Sequence, residues 1–233
     1  DDRREVYQLG EGRAKLAAST VALVTGDPGL AGKPITLPLQ PDLQTVYKLC
    51  DGQRFAKQPV PAFCSGALVA PDIILTAGHC VKVAGSNDGV PLNKMLFVFG
   101  FDMLNTTQVR IGFAGKDVYA AKSLIKRVQS NTADYALIRL DRKVTGRPAL
   151  KIAPNEPLAV GKGILVIGHP SGLPTKLADG AAISQALYIG SRKLGGELGE
   201  NMLDKARGTV MGVMLGIVGT AAAQGTVAMI GFL

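Results

Sequence analysis

The sequence predicts an all-β protein, and three observations carry the prediction. Glycine is abundant, 29 of 233 residues, about 12% against a usual 7% or so, without a collagen period. Turn signals recur throughout the chain, and the apolar runs between them are too short for helices. Hydrophobic residues at 47% and charged residues at 19% exclude a disordered chain, and the length suits one domain or two packed halves with a real core.

The elements follow in chain order. Asp1-Asp2-Arg3-Arg4-Glu5 is charged and no apolar run follows it, so no signal peptide is expected, and residues 1–14 read as an N-terminal extension. Residues 19–25 (STVALVT) are β-branched and stop at Gly26-Asp27-Pro28-Gly29, a strong turn signal. Residues 64–70 (CSGALVA) and 73–76 (IILT), separated by Pro71-Asp72, read as the strands of a hairpin. Residues 95–101 (MLFVFGF), 134–140 (DYALIRL) and 163–168 (GILVIG) continue the series, spaced as in sandwiches or barrels. The proline-bearing stretch 142–157 is the candidate linker between two halves. Residues 15–145 then read as a first half and 146–233 as a second.

The tail breaks the pattern. Residues 209–233 carry no charge and include Gly212 and Gly216 in GxxxG spacing, with Lys205 and Arg207 just before them. The stretch exceeds the roughly 20 apolar residues that cross a bilayer. It reads either as buried glycine-rich strands closing the second half or as a membrane anchor. The net charge of +8 favours acidic partners or anionic surfaces in general terms. Basic residues are scattered, however, and aromatics make up only 5%, so no nucleic-acid partner is expected.

Chemistry concentrates in Leu75-Thr76-Ala77-Gly78-His79-Cys80. An apolar strand ends in two small residues, which lets backbone pack closely beneath the imidazole. Cys80 offers a covalent anchor, and Cys64 lies across the proposed hairpin, close enough to bridge if the two strands pair. Three cysteines allow one disulfide and leave one over, and their wide spacing lacks the Cys-Cys or Cys-His pairs of a zinc site. No metal or other cofactor is expected. In Asp134-Tyr135-Ala136-Leu137-Ile138-Arg139-Leu140, Asp134 shares a face with Ala136, Ile138 and Leu140. A carboxylate on an apolar face needs compensation, and an imidazole N–H is its natural partner. The alternative is an aspartate that caps the start of the strand.

These segments, with Phe63-Cys64-Ser65-Gly66-Ala67-Leu68-Val69, resemble the chymotrypsin-fold serine peptidases over roughly residues 15–182. Gly168-His169-Pro170-Ser171-Gly172 is similar to the bacterial glutamyl-endopeptidase-like branch. The resemblance implies two packed six-stranded antiparallel barrels, atypical from about residue 183 onward and irregular or incomplete at the C-terminus. It also implies His79 as general base, Asp134 as its orienting carboxylate, a Cys64–Cys80 disulfide and a polypeptide substrate. Cys50 is left without a partner, free or intermolecular. Secretion or a periplasmic home follows from the disulfide. Glutamyl-specific relatives use a second histidine late in the chain; His169 lies earlier, in a Gly-His-Pro turn, and reads as a structural loop histidine, so no glutamate preference is assigned.

The family's Gly-Asn/Asp-Ser-Gly turn is missing. Matching Met202-Leu203-Asp204 to the stretch that precedes that turn places Gly208-Thr209-Val210 in the nucleophile slot. Thr209 has a hydroxyl without flanking glycines, and Ser191, after Gly190, is the other candidate. The nucleophile is displaced, the fold no longer cleaves, or the C-terminal sequence is altered, for example by a frameshift. The expected function is therefore a serine-type endopeptidase. The alternatives are a binding protein on the same fold that lacks the serine, and a protein tethered to a membrane by residues 209–233.

Overall fold

A computed structural model describes residues 2–130, 133–152 and 163–181, together with the backbone of strands within 214–220 and 227–231. The chain opens with β1 (Arg4–Glu5) and the short helix α1 (Glu11–Ala17), then enters β2 (Thr20–Thr25). A long excursion holding β3 (Ile35–Thr36) and α2 (Leu43–Tyr47) precedes β4 (Ala62–Ala70) and β5 (Ile73–Thr76). After the two-residue strands β6 (Val81–Lys82) and β7 (Val90–Pro91) come β8 (Met95–Phe99), β9 (Gly112–Phe113), β10 (Val118–Gln129) and β11 (Asp134–Leu140). The second half supplies β12 (Gly163–Gly168), β13 (Lys176–Ala181), β14 (Met214–Thr220) and β15 (Val227–Gly231).

Six strands close into an antiparallel barrel in the order β10-β11-β5-β4-β2-β8. The all-β expectation holds. The reason β2 and β8 read as unbroken apolar runs is that both of their faces are buried. Val21 and Leu23 of β2, with Phe97 and Phe99 of β8, point into the barrel against Tyr119, Ile138 and Leu140. Ala22, Val24, Leu96 and Val98 face outward, under Leu37, Phe101 and Phe113. Inside, Gly66 is required: a Cβ there would sit 2.7 Å from Ile74 Cγ2 and 3.0 Å from Val21 Cγ1.

The hairpin of β4 and β5 turns at Pro71-Asp72, and Asp72 then clamps the next strand. Its carbonyl accepts from Leu140 N at 2.8 Å, and its carboxylate from Arg139 Nη1 at 2.7 Å. Among the elements not legible in the sequence are β10 and α1. Strand β10 runs 12 residues with two register shifts against β11, and beyond Ala120 it is mostly exposed, so its sequence shows no alternation. Helix α1 buries only Ala17, and its short apolar stripe gives no periodic signal.

The second half contributes a five-stranded sheet ordered β1-β13-β12-β15-β14, with β12 and β15 parallel. Within residues 209–233, the described parts are thus strands. No helix among the described residues is long and apolar enough to cross a membrane. The N-terminal strand is an edge of this sheet: Arg4 pairs with Leu177 and Glu5 with Lys176. Ala17 of α1 packs with Leu165, Ile167 and Leu177, and Val6 and Leu9 lie against the same cluster.

Candidate active site

The site starts from the barrel's register. Strand β11 pairs with β5 so that Ala136 faces Thr76, and continuing the two strands past that pair brings Asp134 opposite the turn that follows β5. That turn, Gly78–Cys80, carries His79. Alternation along β11 buries Asp134, Ala136, Ile138 and Leu140 on one face, and the carboxylate emerges at the end of that face beside the imidazole.

Asp134 holds His79 twice. One oxygen, Oδ1, accepts the His79 backbone N–H at 2.9 Å, and Oδ2 lies 2.5 Å from Nδ1. The first contact fixes the turn and the second fixes the ring, so the proton resides on Nδ1 and the lone pair on Nε2. Asp134's side chain is only 9% exposed while that of His79 is 33% exposed, so the carboxylate is shielded and the ring reaches the surface. The hydrogen bond to Asp134 raises the His79 pKa above its ordinary 6.5, against the opposing pull of burial; Asp88 adds to the rise and Arg127 subtracts from it.

Two further contacts hold the turn, and a third lies beside it. Cys64 of β4 and Cys80 form a disulfide with Cα atoms 6.2 Å apart, tying the residue after His79 to the neighbouring strand. Arg127 Nε donates to the Gly78 carbonyl at 2.8 Å, and Gln129 Nε2 donates to Asp88 Oδ2 at 2.7 Å. Gly78 leaves no space for a side chain: a Cβ would stand 2.2 Å from the Val128 carbonyl and 2.8 Å from Asp134 Oδ1. The roles of Arg127 and Gln129 carry no signal in the sequence, because they depend on the bulged course of β10. Ligand atoms of Cys64, His79 and Cys80 lie within 4.8 Å of one another, but the two sulfurs are bonded to each other and are not thiolates able to hold a metal.

His169 lies apart from the pair. It is buried, its ring stacks on Phe101 with centroids 5.8 Å apart, and Nδ1 donates to the Leu173 carbonyl at 3.0 Å. Its backbone N–H donates to Ser65 Oγ at 2.8 Å, and Thr76 Oγ1 donates to the Ser65 carbonyl at 2.8 Å. Ser65 thus joins the strand that ends at His79 to the loop after β12. Burial lowers the His169 pKa to about 4, only partly offset by the hydrogen bond to Leu173. Ser171, at φ 55°, sits in the same loop. Cys50 is exposed and outside any disulfide. Among the described residues no hydroxyl is hydrogen-bonded to His79, and the candidates Thr209 and Ser191 lie outside the described residues.

The arrangement suits general-base chemistry: an imidazole held through Nδ1 by a buried carboxylate, with no partner for its other nitrogen among the described residues. The model of the family described as a trypsin-like peptidase domain matches residues 64–213, a span that contains His79 and Asp134. Among solved structures, the chain is similar to one titled "Structure of Glu endopeptidase in complex with MPD", at 15% identity and a TM-score of 0.42, over 78% of this chain and 68% of that one.

Proposed function

The chain belongs to the trypsin-like peptidase domain family, and from that premise we propose that its machinery is that of a serine-type endopeptidase acting on polypeptides. The observation that supports this most is the double hold of Asp134 on His79, at 2.9 Å to the backbone and 2.5 Å to the ring. In the reaction, Nε2 of His79 takes the proton of a hydroxyl nucleophile as its oxygen attacks the substrate carbonyl carbon. Asp134 steadies the imidazolium so formed, which then gives the proton to the leaving amine as the C–N bond breaks. Water repeats the cycle and frees the acyl group. The disulfide accords with secretion into an oxidising compartment.

The nucleophile decides how far this machinery works. With Gly208-Thr209-Val210 in the slot, threonine's methyl crowds the approach, and the glycine turn that presents the hydroxyl is missing. The chain as written is therefore proposed to pair His79 with Asp134 yet cleave weakly or not at all, which leaves a binding role on the same fold as the second reading. Treatment with a phosphonylating serine reagent followed by peptide mapping tests this. Modification at Thr209 or Ser191 names the nucleophile; no modification, together with no hydrolysis of a denatured protein substrate, favours the binding reading. Robust peptidase activity that survives Thr209→Ala and Ser191→Ala would show that the site is misplaced.

A further inference from the structure

The His79 turn is flanked by a loop for which the proton-transfer scheme has no use. Residues 83–89 leave β6 and return through β7, which pairs with β6 at Val81 and Val90. Ser86 folds the loop on itself: its Oγ accepts the Val83 N–H at 3.0 Å, and its own backbone N–H donates to the Val83 carbonyl at 3.0 Å. The loop closes on the turn at Gly89. With φ at +85°, a Cβ there would lie 2.7 Å from the His79 carbonyl oxygen, so glycine is what lets the two backbones come this close. Asp88, exposed to solvent, is therefore one residue away from a direct contact with His79.

Side chains of β10 fix the Asp88 carboxylate in that place. Gln129 Nε2 donates to Asp88 Oδ2 at 2.7 Å, Gln129 Oε1 accepts from Arg127 Nη2, and Arg127 Nε donates to the Gly78 carbonyl at 2.8 Å. The contacts form a closed circuit, from Gly78 through Arg127, Gln129 and Asp88 to Gly89 and back to His79. An amide suits the middle of it, since it can accept from the guanidinium and donate to the carboxylate. The charged groups acting on the His79 ring are Asp134 from β11, Asp88 from this loop and Arg127 from β10. The hydrogen bond from Gln129, one from its own backbone N–H and the charges of Arg127 and His79 hold the Asp88 carboxyl below its ordinary range.

We propose that Asp88 is a positioning residue for the His79 base: tethered by Gln129, its carboxylate supplies a second negative charge that stabilises the imidazolium from the exposed side, as Asp134 does from the buried side. The use of this charge in proton transfer rests on the peptidase reading; the coupling of Asp88 to His79 does not. The two carboxylates differ in kind. Asp134 is buried and bonded to the ring, so dissolved salt screens it little, whereas Asp88 acts through solvent and is screened like any surface charge. Arg127, in the same circuit, subtracts from the effect of Asp88. The buried aspartate thus sets the strength of the base, and the exposed pair trims it in a way that depends on ionic strength.

Proton NMR titration of His79 in the full chain tests the coupling at about 0.01 M and about 1 M salt, where screening lengths are about 30 and 3 Å. Asp88→Asn keeps the shape and the acceptor but not the charge; it is expected to lower the His79 midpoint at low salt and to leave it nearly unchanged at high salt. Asp88→Lys is expected to lower it about twice as far at low salt, because the change in charge doubles. Gln129→Met, similar in size but without the amide, is expected to shift the midpoint in the same direction by less. A midpoint that does not move in Asp88→Asn, or in Gln129→Met, overturns the proposal. So does a shift in Asp88→Asn that persists in full at high salt, because screening removes the effect of a charge but not that of a loosened turn. A chain that shows the salt-dependent shift yet hydrolyses nothing supports the role of Asp88 and counts only against the peptidase reading, whereas hydrolysis with a His79 midpoint indifferent to Asp88 does the reverse.

Discussion

Two histidines, the only two in the chain, sit in opposite electrostatic settings. His79 is held by a carboxylate that favours its charged form, so its pKa lies above 6.5; His169 is buried, with no hydrogen-bond partner for Nε2 among the described residues, and burial lowers its pKa to about 4. Proton NMR of the imidazole C–H signals is expected to show one histidine titrating above 6.5 and one near 4. Asp134→Asn should lower only the first; a shift of both, or of neither, would contradict the pairing. The two residues also impose opposite pH slopes on stability. His79's contribution is fully present below pH 6.5 and is lost as pH rises through its raised folded value. For His169 the unfolded chain takes up a proton near 6.5 while the folded chain does so only near 4. Its effect is therefore a loss of stability of about 3 kcal/mol between those values as pH falls. Urea unfolding at pH 7 and pH 4.5 should show this loss, and His169→Phe, which has no proton to take up, should flatten the difference.

At the level of elements, the active turn is held by its neighbours. The residues of Gly78–Cys80 form a single 3-10 turn, too short to hold His79 without the disulfide, Asp134 and Arg127. The Cys64–Cys80 bridge closes a loop with a sequence separation of 16, and cross-links of that span contribute about 3 kcal/mol. The double variant Cys64→Ala, Cys80→Ala is expected to lose stability on that scale in a urea titration. The pKa of His79 should move toward 6.5 as the turn loosens. An unchanged His79 titration in a folded double variant would mean that Asp134 alone is sufficient to set the ring.

Across the whole molecule, the N-terminal segment fastens the two halves. Glu5 Oε2 meets Lys176 Nζ at 3.0 Å, and Lys176 also donates to the Pro174 carbonyl at 2.8 Å. Gln58 Nε2, from the excursion before β4, donates to Glu5 Oε1 at 2.8 Å. Both members of the pair are almost wholly buried, with side-chain exposures of 7% and 1%. Burial lowers the Lys176 pKa to about 8, and Glu5 opposes that fall. Removing one partner of such a pair strands a buried charge, at a cost of about 3 kcal/mol or more. Glu5→Gln should therefore destabilise the protein to that extent in urea. Lys176→Met combined with Glu5→Leu should recover most of it; no recovery would show that the pair contributes more than its own mutual compensation.

Five of the six barrel strands and the His79 turn were legible because their signals are local. Turn residues bound the apolar runs, two small residues precede the histidine, and strict alternation places Asp134 on an apolar face. Each signal lies within a few residues, where steric and period arguments operate. Strand β10 was not legible, since its exposed second half carries Lys122, Ser123, Lys126 and Arg127 and takes its form from pairing with β11. Nor was the docking of β1 against β13, which joins Arg4 to Leu177 across most of the chain. The same holds for the contacts of Arg127 with Gly78 and of Ser65 with His169. By itself the sequence determined the strand pattern, the motif order and the residue types of the candidate site. Only the tertiary structure decided which distant groups meet, because those contacts depend on register, bulges and chain crossings that no local pattern encodes.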